Sequence, residues 1–353
     1  MKVKIENLRI SGMAAVIPKK QISVDAYNDI FGEKKIKRIK RSTGIEAVHV
    51  VDDGETASDL CYCAAKKLFR ELNILPDSID GIIFSSISPD YKAPATSIIL
   101  QDRLGLSKEI VAMDLAFGCS GFVYGVYQAA ILIKAGGCKR VLICAGDTQS
   151  MMVNDKDRAM KMLVGDAGTA TILEYGDDCF NFILGCDGSG YQDLIIPAGG
   201  CRIPSSQETK VEFADDDGNV RNKENLYMNG IEIMKFALST VPKVVEELLE
   251  FSKITREEVS LFAMHQPNKM ILDSLGMAMD IDNELMPVGL GKTGNTASAS
   301  IPLLLATLAN EKMDFSQRRN VVTCGFGIGL SYGAVLLNLS NSKILPVLEY
   351  EGG

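Results

Sequence analysis

Asp114-Leu-Ala-Phe-Gly-Cys119-Ser-Gly-Phe-Val-Tyr-Gly-Val-Tyr-Gln-Ala-Ala-Ile-Leu132 joins an apolar strand end, a glycine-flanked turn and a long helical pattern without a break. The run before it, Glu109-Ile-Val-Ala-Met-Asp-Leu115, has the apolar character of a buried strand. Gly118 and Gly121 bracket the cysteine and allow close backbone approach. A thiol on such a strand-to-helix turn sits beside unpaired N–H groups and the positive end of the helix dipole. That setting favours thiolate over thiol and marks Cys119 as a candidate nucleophile.

Working outward, the same order of signals occurs twice. In the first half a strand is predicted over 3–16 and a helix over Glu55–Leu72. Gly81–Ile87 reads as a buried strand, and a helix opened by Pro94 stops at Gly105. Arg140–Gly146 reads as the strand after the Cys119 helix, and Met162–Leu173 as strands around a glycine turn. In the second half Val259–Met264 reads as a strand. A helix opens at Pro267 and stops at Gly276, and a small-residue helix begins at Gly294-Asn295-Thr296 and runs to about Ala309. Asn320–Cys324 and Leu330–Leu339 complete the strands. Pro94 to Cys119 is 25 residues and Pro267 to Asn295 is 28; Cys119 to Gly146 is 27 and Asn295 to Gly325 is 30. Matched spacings of this length indicate a duplicated α/β unit, not a solenoid. The halves are set at 1–176 and 177–353. Thr209–Lys223 has no core pattern and reads as an exposed insertion in the second half.

Composition limits the function. The 353 residues are 46% hydrophobic, enough for a large core, and the net charge of −8 argues against nucleic acid as partner. No apolar run approaches the roughly 18 residues of a membrane span, and the charged N-terminal stretch has no signal-peptide core. Nine scattered cysteines do not form a disulfide framework, and a reducing cytoplasm suits them. Cys61-Tyr-Cys63 has the wrong spacing for zinc, Asp166 lacks a partner carboxylate, and no metal is expected. The basic run Lys34–Arg41 reads as a solvated helix face.

Pseudo-symmetry brings strand ends and helix starts of both halves to one crevice. His265, directly after a buried strand in His265-Gln-Pro-Asn268, and Asn295, at the helix start matching Cys119, would meet there. A thiol, an imidazole and a side-chain amide make one nucleophile and two hydrogen-bond donors. Gly325-Phe-Gly-Ile-Gly-Leu-Ser-Tyr-Gly333 adds backbone N–H groups. A strand-like run follows it where a dinucleotide fingerprint requires a helix, so it is not one.

Gly-Cys119-Ser-Gly, His265-Gln-Pro-Asn, Gly294-Asn295-Thr-Ala-Ser-Ala-Ser-Ile-Pro and the Gly325–Gly333 loop together resemble β-ketoacyl-acyl carrier protein synthase III of the thiolase superfamily. The resemblance covers nearly the whole chain. It implies thiolase-like halves in a five-layered α/β/α/β/α arrangement, a homodimer, and a Cys119–His265–Asn295 triad in fatty acid biosynthesis. It implies no metal or organic cofactor, acyl groups arriving as thioesters of coenzyme A or acyl carrier protein, and decarboxylative condensation with a malonyl thioester. The N–H of Cys119 and one from Gly327-Ile328 would hold the oxyanion. Phe326 matches a residue that shields the malonyl carboxylate.

The same resemblance assigns substrate contacts. Arg158 matches an arginine that clamps adenine, but the chain has no tryptophan to complete the clamp, and Arg38 falls near that position. Ile231 replaces an asparagine on the pantetheine path, Lys235 matches a basic residue after it, and Met270 and Met277 replace basic carrier contacts. Ala93 stands where a bulky partner-subunit residue usually closes the acyl pocket, which points to a longer or branched primer. Transfer of the acyl group to a non-malonyl acceptor is the alternative reaction. A papain-like protease fits neither the His–Asn spacing nor the duplication. A hydroxymethylglutaryl-type or hydrocarbon-forming condensation would need a base carboxylate, for which Asp90 is the candidate.

Overall fold

The computed structural model describes residues 1–352. In the first half the pairing order is Val111–Leu115, Gly81–Ser85, Arg140–Thr148, Asp166–Cys186, Lys2–Ile17. The Gly81–Ser85 strand is parallel to Arg140–Thr148, and the later pairs are antiparallel. The second half repeats this pattern. Leu261–Met264 lies parallel to Val321–Gly327, which is antiparallel to Ser331–Leu337, itself antiparallel to residues 181–186. The 21-residue strand Asp166–Cys186 passes through position 176 and serves both halves. Its first part pairs with Arg140–Thr148 and its last part with Ser331–Leu337.

The layers follow from which helices carry apolar residues on one side or on both. The Gly121–Lys134 helix contacts strands of both halves. It buries Phe122, Val123, Val126, Ala129, Ala130 and Ile133, each large side chain adding roughly 1.5–3 kcal/mol. The Ser300–Asn310 helix is likewise apolar nearly all round, as a helix between two sheets must be. The Ala57–Leu72 helix covers the outer side of the first-half sheet, and Gly230–Ser252 with Lys269–Met279 covers that of the second. The result is an α/β/α/β/α stack with separate clusters for the two outer interfaces and the middle. A charge at Val126 would break the central layer.

Several expectations need correction. Met162–Leu173 is not a pair of strands around a turn. Gly165 lies where a Cβ would come 1.9 Å from the Thr293 carbonyl oxygen, so the glycine permits a close crossing, and the strand then runs on from Asp166. The helix opened after Pro267 does not stop at Gly276 but continues to Met279, capped by Asp280 at φ 53°. A Cβ at Gly276 would stand 3.2 Å from both the Ile281 carbonyl oxygen and Met286, so close packing explains that glycine. The insertion 209–223 is not simply exposed. Phe213–Ala214 and Val220–Arg221 pair as a small hairpin whose Asn219 and Arg221 are buried. The basic run does form a helix, Glu33–Thr43, with Ile36 buried and its lysines facing outward. No helix among the described residues is long and apolar enough to cross a membrane.

Candidate active site

Cys119 ends the loop after Val111–Leu115 and precedes the Gly121–Lys134 helix. The side chain of Ser120, the N-cap residue, does not cap the helix; its Oγ lies 2.7 Å from Ser331 Oγ. Two glycines of the facing loop touch the cysteine. A Cβ on Gly325 would approach the Cys119 carbonyl oxygen to 2.7 Å, and one on Gly327 (φ +154°) would lie 2.8 Å from Cys119 Cβ and Sγ. The N–H groups of Ile328 and of Cys119 itself favour a charged sulfur, yet burial outweighs them and pushes the thiol up to about 12. Burial of Cys119, a residue 7% exposed, therefore works against the thiolate that the helix terminus favours.

His265 follows Leu261–Met264, and its N–H continues the strand pairing by donating to the Cys324 carbonyl oxygen at 2.8 Å. Ring Nδ1 lies 2.7 Å from Ser300 Oγ, and the Phe326 ring meets the imidazole in a T-shaped contact with centroids 5.4 Å apart. Burial alone drives its pKa down to about 3, so the imidazole is neutral. Nε2 is the nitrogen left for the cavity.

Asn295 is fixed by the other half of the chain. Its N–H donates to the Leu163 carbonyl oxygen at 2.8 Å, and its carbonyl accepts from Gly165 N–H at 3.0 Å and from Gln149 Nε2 at 2.8 Å. Side-chain Oδ1 accepts from Ala297 N–H at 3.0 Å, so the amide NH₂ is the group available to a ligand. Ala297 has φ +44°, a left-handed conformation that an alanine rarely adopts. Three residues on from Asn295, Ser298 donates through N–H and Oγ to Asp147 Oδ2 at 3.0 and 2.6 Å. The other Asp147 oxygen accepts from Ser86 Oγ and Ile87 N–H. This buried carboxylate thus ties the helix start of one half to a strand end of the other, though burial raises its pKa to about 6.

Cys119, His265, Asn295, Phe326 and Gly327 open on one cavity of about 450 Å³. Ile231 and Met270 stand on its wall, while Arg158, Arg38, Lys235 and Ala93 do not. Arg158 is half-buried and donates to the Asp217 carbonyl oxygen at 3.3 Å. Arg38 lies on the outer surface beside Met270 and Met277, and exposed Lys235 pairs with Glu232. Ala93 lies on the exposed segment before the Thr96–Arg103 helix. Asp90 is also outside the cavity, its carboxylate bonded to Ser58 Oγ at 2.7 Å. The reading of sequence overlooked Arg221, which lines the cavity at 5% exposure between Asp157 and Asp215 and lies over the Tyr227 ring. It also overlooked Ser300, Gln149 and Asp147. Only Asp147, a carboxylate at the end of an otherwise apolar strand, carried a visible signal.

Comparison with known proteins agrees along the whole chain. Residues 113–188 match the family described as 3-oxoacyl-[acyl-carrier-protein (ACP)] synthase III, and residues 249–339 match its C-terminal part. A putative 3-oxoacyl-[acyl-carrier-protein] synthase 3 of Campylobacter jejuni is 34% identical over 362 aligned positions, covering 99% of each chain. A β-ketoacyl-[acyl-carrier-protein] synthase III of Fusobacterium nucleatum is 32% identical, covering 94% of this chain and 99% of its own. The crystal structure of a 3-oxoacyl-(acyl-carrier protein) synthase from Burkholderia xenovorans has a TM-score of 0.92 at 33% identity, with 99% of each chain covered. That of 3-oxoacyl-(acyl carrier protein) synthase III from Pseudomonas aeruginosa scores 0.79 at 26% identity, with 94% and 98% covered.

Proposed function

The chain belongs to the 3-oxoacyl-[acyl-carrier-protein] synthase III family, and from that membership we propose how its residues divide the condensation between them. The family's reaction joins an acyl thioester primer to a malonyl thioester with loss of CO₂. Cys119 Sγ attacks the primer carbonyl, its proton leaves with the departing thiol, and acyl-Cys119 remains. The N–H groups of Cys119 and Ile328 receive the oxyanion of that step. When the malonyl carboxylate leaves, its electrons pass to the thioester oxygen as an enolate. His265 Nε2 and the Asn295 amide donate to that oxygen, and neither has to ionise. The enolate carbon then attacks acyl-Cys119, and the sulfur leaves from the new 3-oxoacyl product. Phe326 keeps the carboxylate side dry, which favours decarboxylation.

The observation that supports this reading best is the shared cavity, in which a nucleophile and two neutral donors face one space. Each developing charge meets a group of the chain, so the proposal asks for no metal or organic cofactor. It includes a homodimer acting in the cytoplasm, with acyl carrier protein as a partner. Ala93 from one copy would face the acyl pocket of the other, and its small side chain suits a medium or branched primer. Transfer to a non-malonyl acceptor has no separate observation in its favour. Intact-mass detection of acyl-Cys119, followed by CO₂ release and 3-oxoacyl product on adding malonyl carrier protein, tests the whole sequence. Product formation by the Cys119→Ala variant would overturn it.

A further inference from the structure

Asp147 lies outside the Cys119 cavity, yet it holds the turn that carries two of the groups acting there. We propose that its carboxylate is a positioning residue for malonyl decarboxylation. It keeps the Asn295 amide and the His265 ring aimed at one oxygen, and it has no part in loading Cys119. This inference rests on the condensing reading of the same site.

The turn runs from Asn295 to Ser300 and is held at three points. At its start Asn295 Oδ1 accepts from Ala297 N–H at 3.0 Å, which sets the direction of the amide NH₂. At its end Ser300 Oγ lies 2.7 Å from His265 Nδ1. Between them the N–H and Oγ of Ser298 both donate to Asp147 Oδ2, at 3.0 and 2.6 Å. Ala297, the neighbour of Ser298, has φ +44°, a conformation that persists only where surrounding bonds impose it. The turn therefore needs an anchor, and the anchor comes from the Arg140–Thr148 strand of the other half.

The second oxygen fixes Asp147 itself. Oδ1 accepts from Ile87 N–H at 2.7 Å, from Ser86 Oγ at 2.9 Å and more loosely from Ser88 Oγ at 3.4 Å. Both oxygens thus accept, and the N–H groups of Ile87 and Ser298 cannot turn round to do otherwise. An amide accepts at one oxygen only and would set its NH₂ against one of those N–H groups. Protonation loosens the same clamp, because the charge that strengthens each bond is lost. The titratable side chains facing Asp147 are the thiols of Cys61 and Cys119, and its charge helps to raise both. None of its donors is an N–H of Cys119 or Ile328, the groups that serve loading. Removing the charge should therefore leave loading intact or ease it.

The test times the two half-reactions separately in the full chain. One is formation of acyl-Cys119 from octanoyl-CoA, and the other is CO₂ release from malonyl carrier protein by the preloaded enzyme. Asp147→Asn should load at the parent rate or faster and release CO₂ about 10²-fold more slowly. Ser298→Ala keeps the N–H bond and loses that of Oγ; it should show the same split at about tenfold, and it decides the matter if Asp147→Asn does not fold. In the parent, CO₂ release should fall as pH drops through about 6, and Asp147→Asn should lack that step. Equal slowing of loading and decarboxylation would mark a general structural support and overturn the inference. So would CO₂ release at the parent rate in either variant, a parent profile without the step, or a step that survives in Asp147→Asn. A parent chain that forms no acyl-Cys119, or forms it and releases no CO₂, overturns the condensing reading itself.

Discussion

Ser300 Oγ lies 2.7 Å from His265 Nδ1, a contact in which either the hydroxyl or the ring N–H can be the donor. A hydroxyl donating to Nδ1 leaves the hydrogen on Nε2, where the enolate oxygen needs a donor. The ring cannot supply both hydrogens by becoming a cation, because burial holds its pKa down to about 3. Ser300→Ala should therefore slow malonyl decarboxylation by about tenfold or more while acyl-Cys119 still forms, and Ser300→Thr should restore much of the rate. Nitrogen NMR of the imidazole should show the Nε2–H form in the parent and a mixture in the alanine variant. An unchanged tautomer with an unchanged rate would remove Ser300 from the mechanism.

The buried titrating groups predict a particular pH behaviour. His265 has a folded pKa near 3 against 6.5 for the free side chain. Between those values the unfolded chain holds more protons, so the contribution of His265 to stability falls as pH drops through that window. In the folded enzyme the ring stays neutral, so decarboxylation by preloaded acyl-enzyme should lose no rate to His265 from about pH 5 to 8, and a step near pH 6 would report Asp147. Loading should behave differently. With the Cys119 thiol raised to about 12, its rate should climb without a plateau up to pH 9. A loading plateau with a midpoint near pH 7 would mean that the sulfur is activated by something other than the groups around it here.

The same burial changes what a bare alkylating reagent should find. Cys179, Cys186 and Cys201 are exposed, whereas Cys119 is enclosed. Iodoacetamide at pH 8 should label exposed cysteines first, and an acyl thioester should label Cys119 alone. Mapping both adducts by peptide mass separates surface reactivity from guided attack. Acylation spread evenly over the exposed cysteines would speak against a loading site at Cys119.

Gly327 offers the sharpest steric test. Any Cβ there would stand 2.8 Å from Cys119 Cβ and Sγ, and its φ of +154° is one that side chains rarely adopt. Gly327→Ala should cut loading by about 10²–10³, the scale of losing one oxyanion donor, with the fold retained by circular dichroism. Full loading by this variant would show that the loop gives way and that its N–H groups are not held against the sulfur.

The parts of the site legible in sequence were those that strands and helix starts must place. Cys119, His265 and Asn295 sit at element ends whose positions follow from apolar runs and glycine stops, and duplication brings those ends together. The residues that hold them were not legible. Ser300 and Gln149 look like ordinary polar residues until the chain is folded, because their partners lie 35 and 146 positions away. The 213–221 hairpin was misjudged because its small core is an ion-paired arginine with asparagine and aspartate, and apolar periodicity cannot detect such a core. Gly276 misled for a related reason: a glycine kept for close packing looks the same in sequence as one kept to end a helix.

Primer length carries the last prediction, and it also tests the dimer. Ala93 is exposed and lies outside the cavity of its own chain, and in the proposed dimer it would border the acyl pocket of the second copy. Each methylene buried there adds about 0.8 kcal/mol, close to fourfold in binding, so several methylenes outweigh most other differences between primers. Octanoyl-pantetheine should load Cys119 at least tenfold better than acetyl-pantetheine, and Ala93→Phe should move that ratio toward acetyl. Mixing decides whose side chain acts. In hybrids of Ala93→Phe with Cys119→Ala, the remaining Cys119 sits on the Phe-bearing chain and faces the alanine of its partner. Such hybrids should recover the octanoyl preference at the one live site. If the hybrid keeps the preference of the Ala93→Phe homodimer, position 93 acts within its own chain. If neither form differs from the parent, Ala93 does not border the acyl group at all.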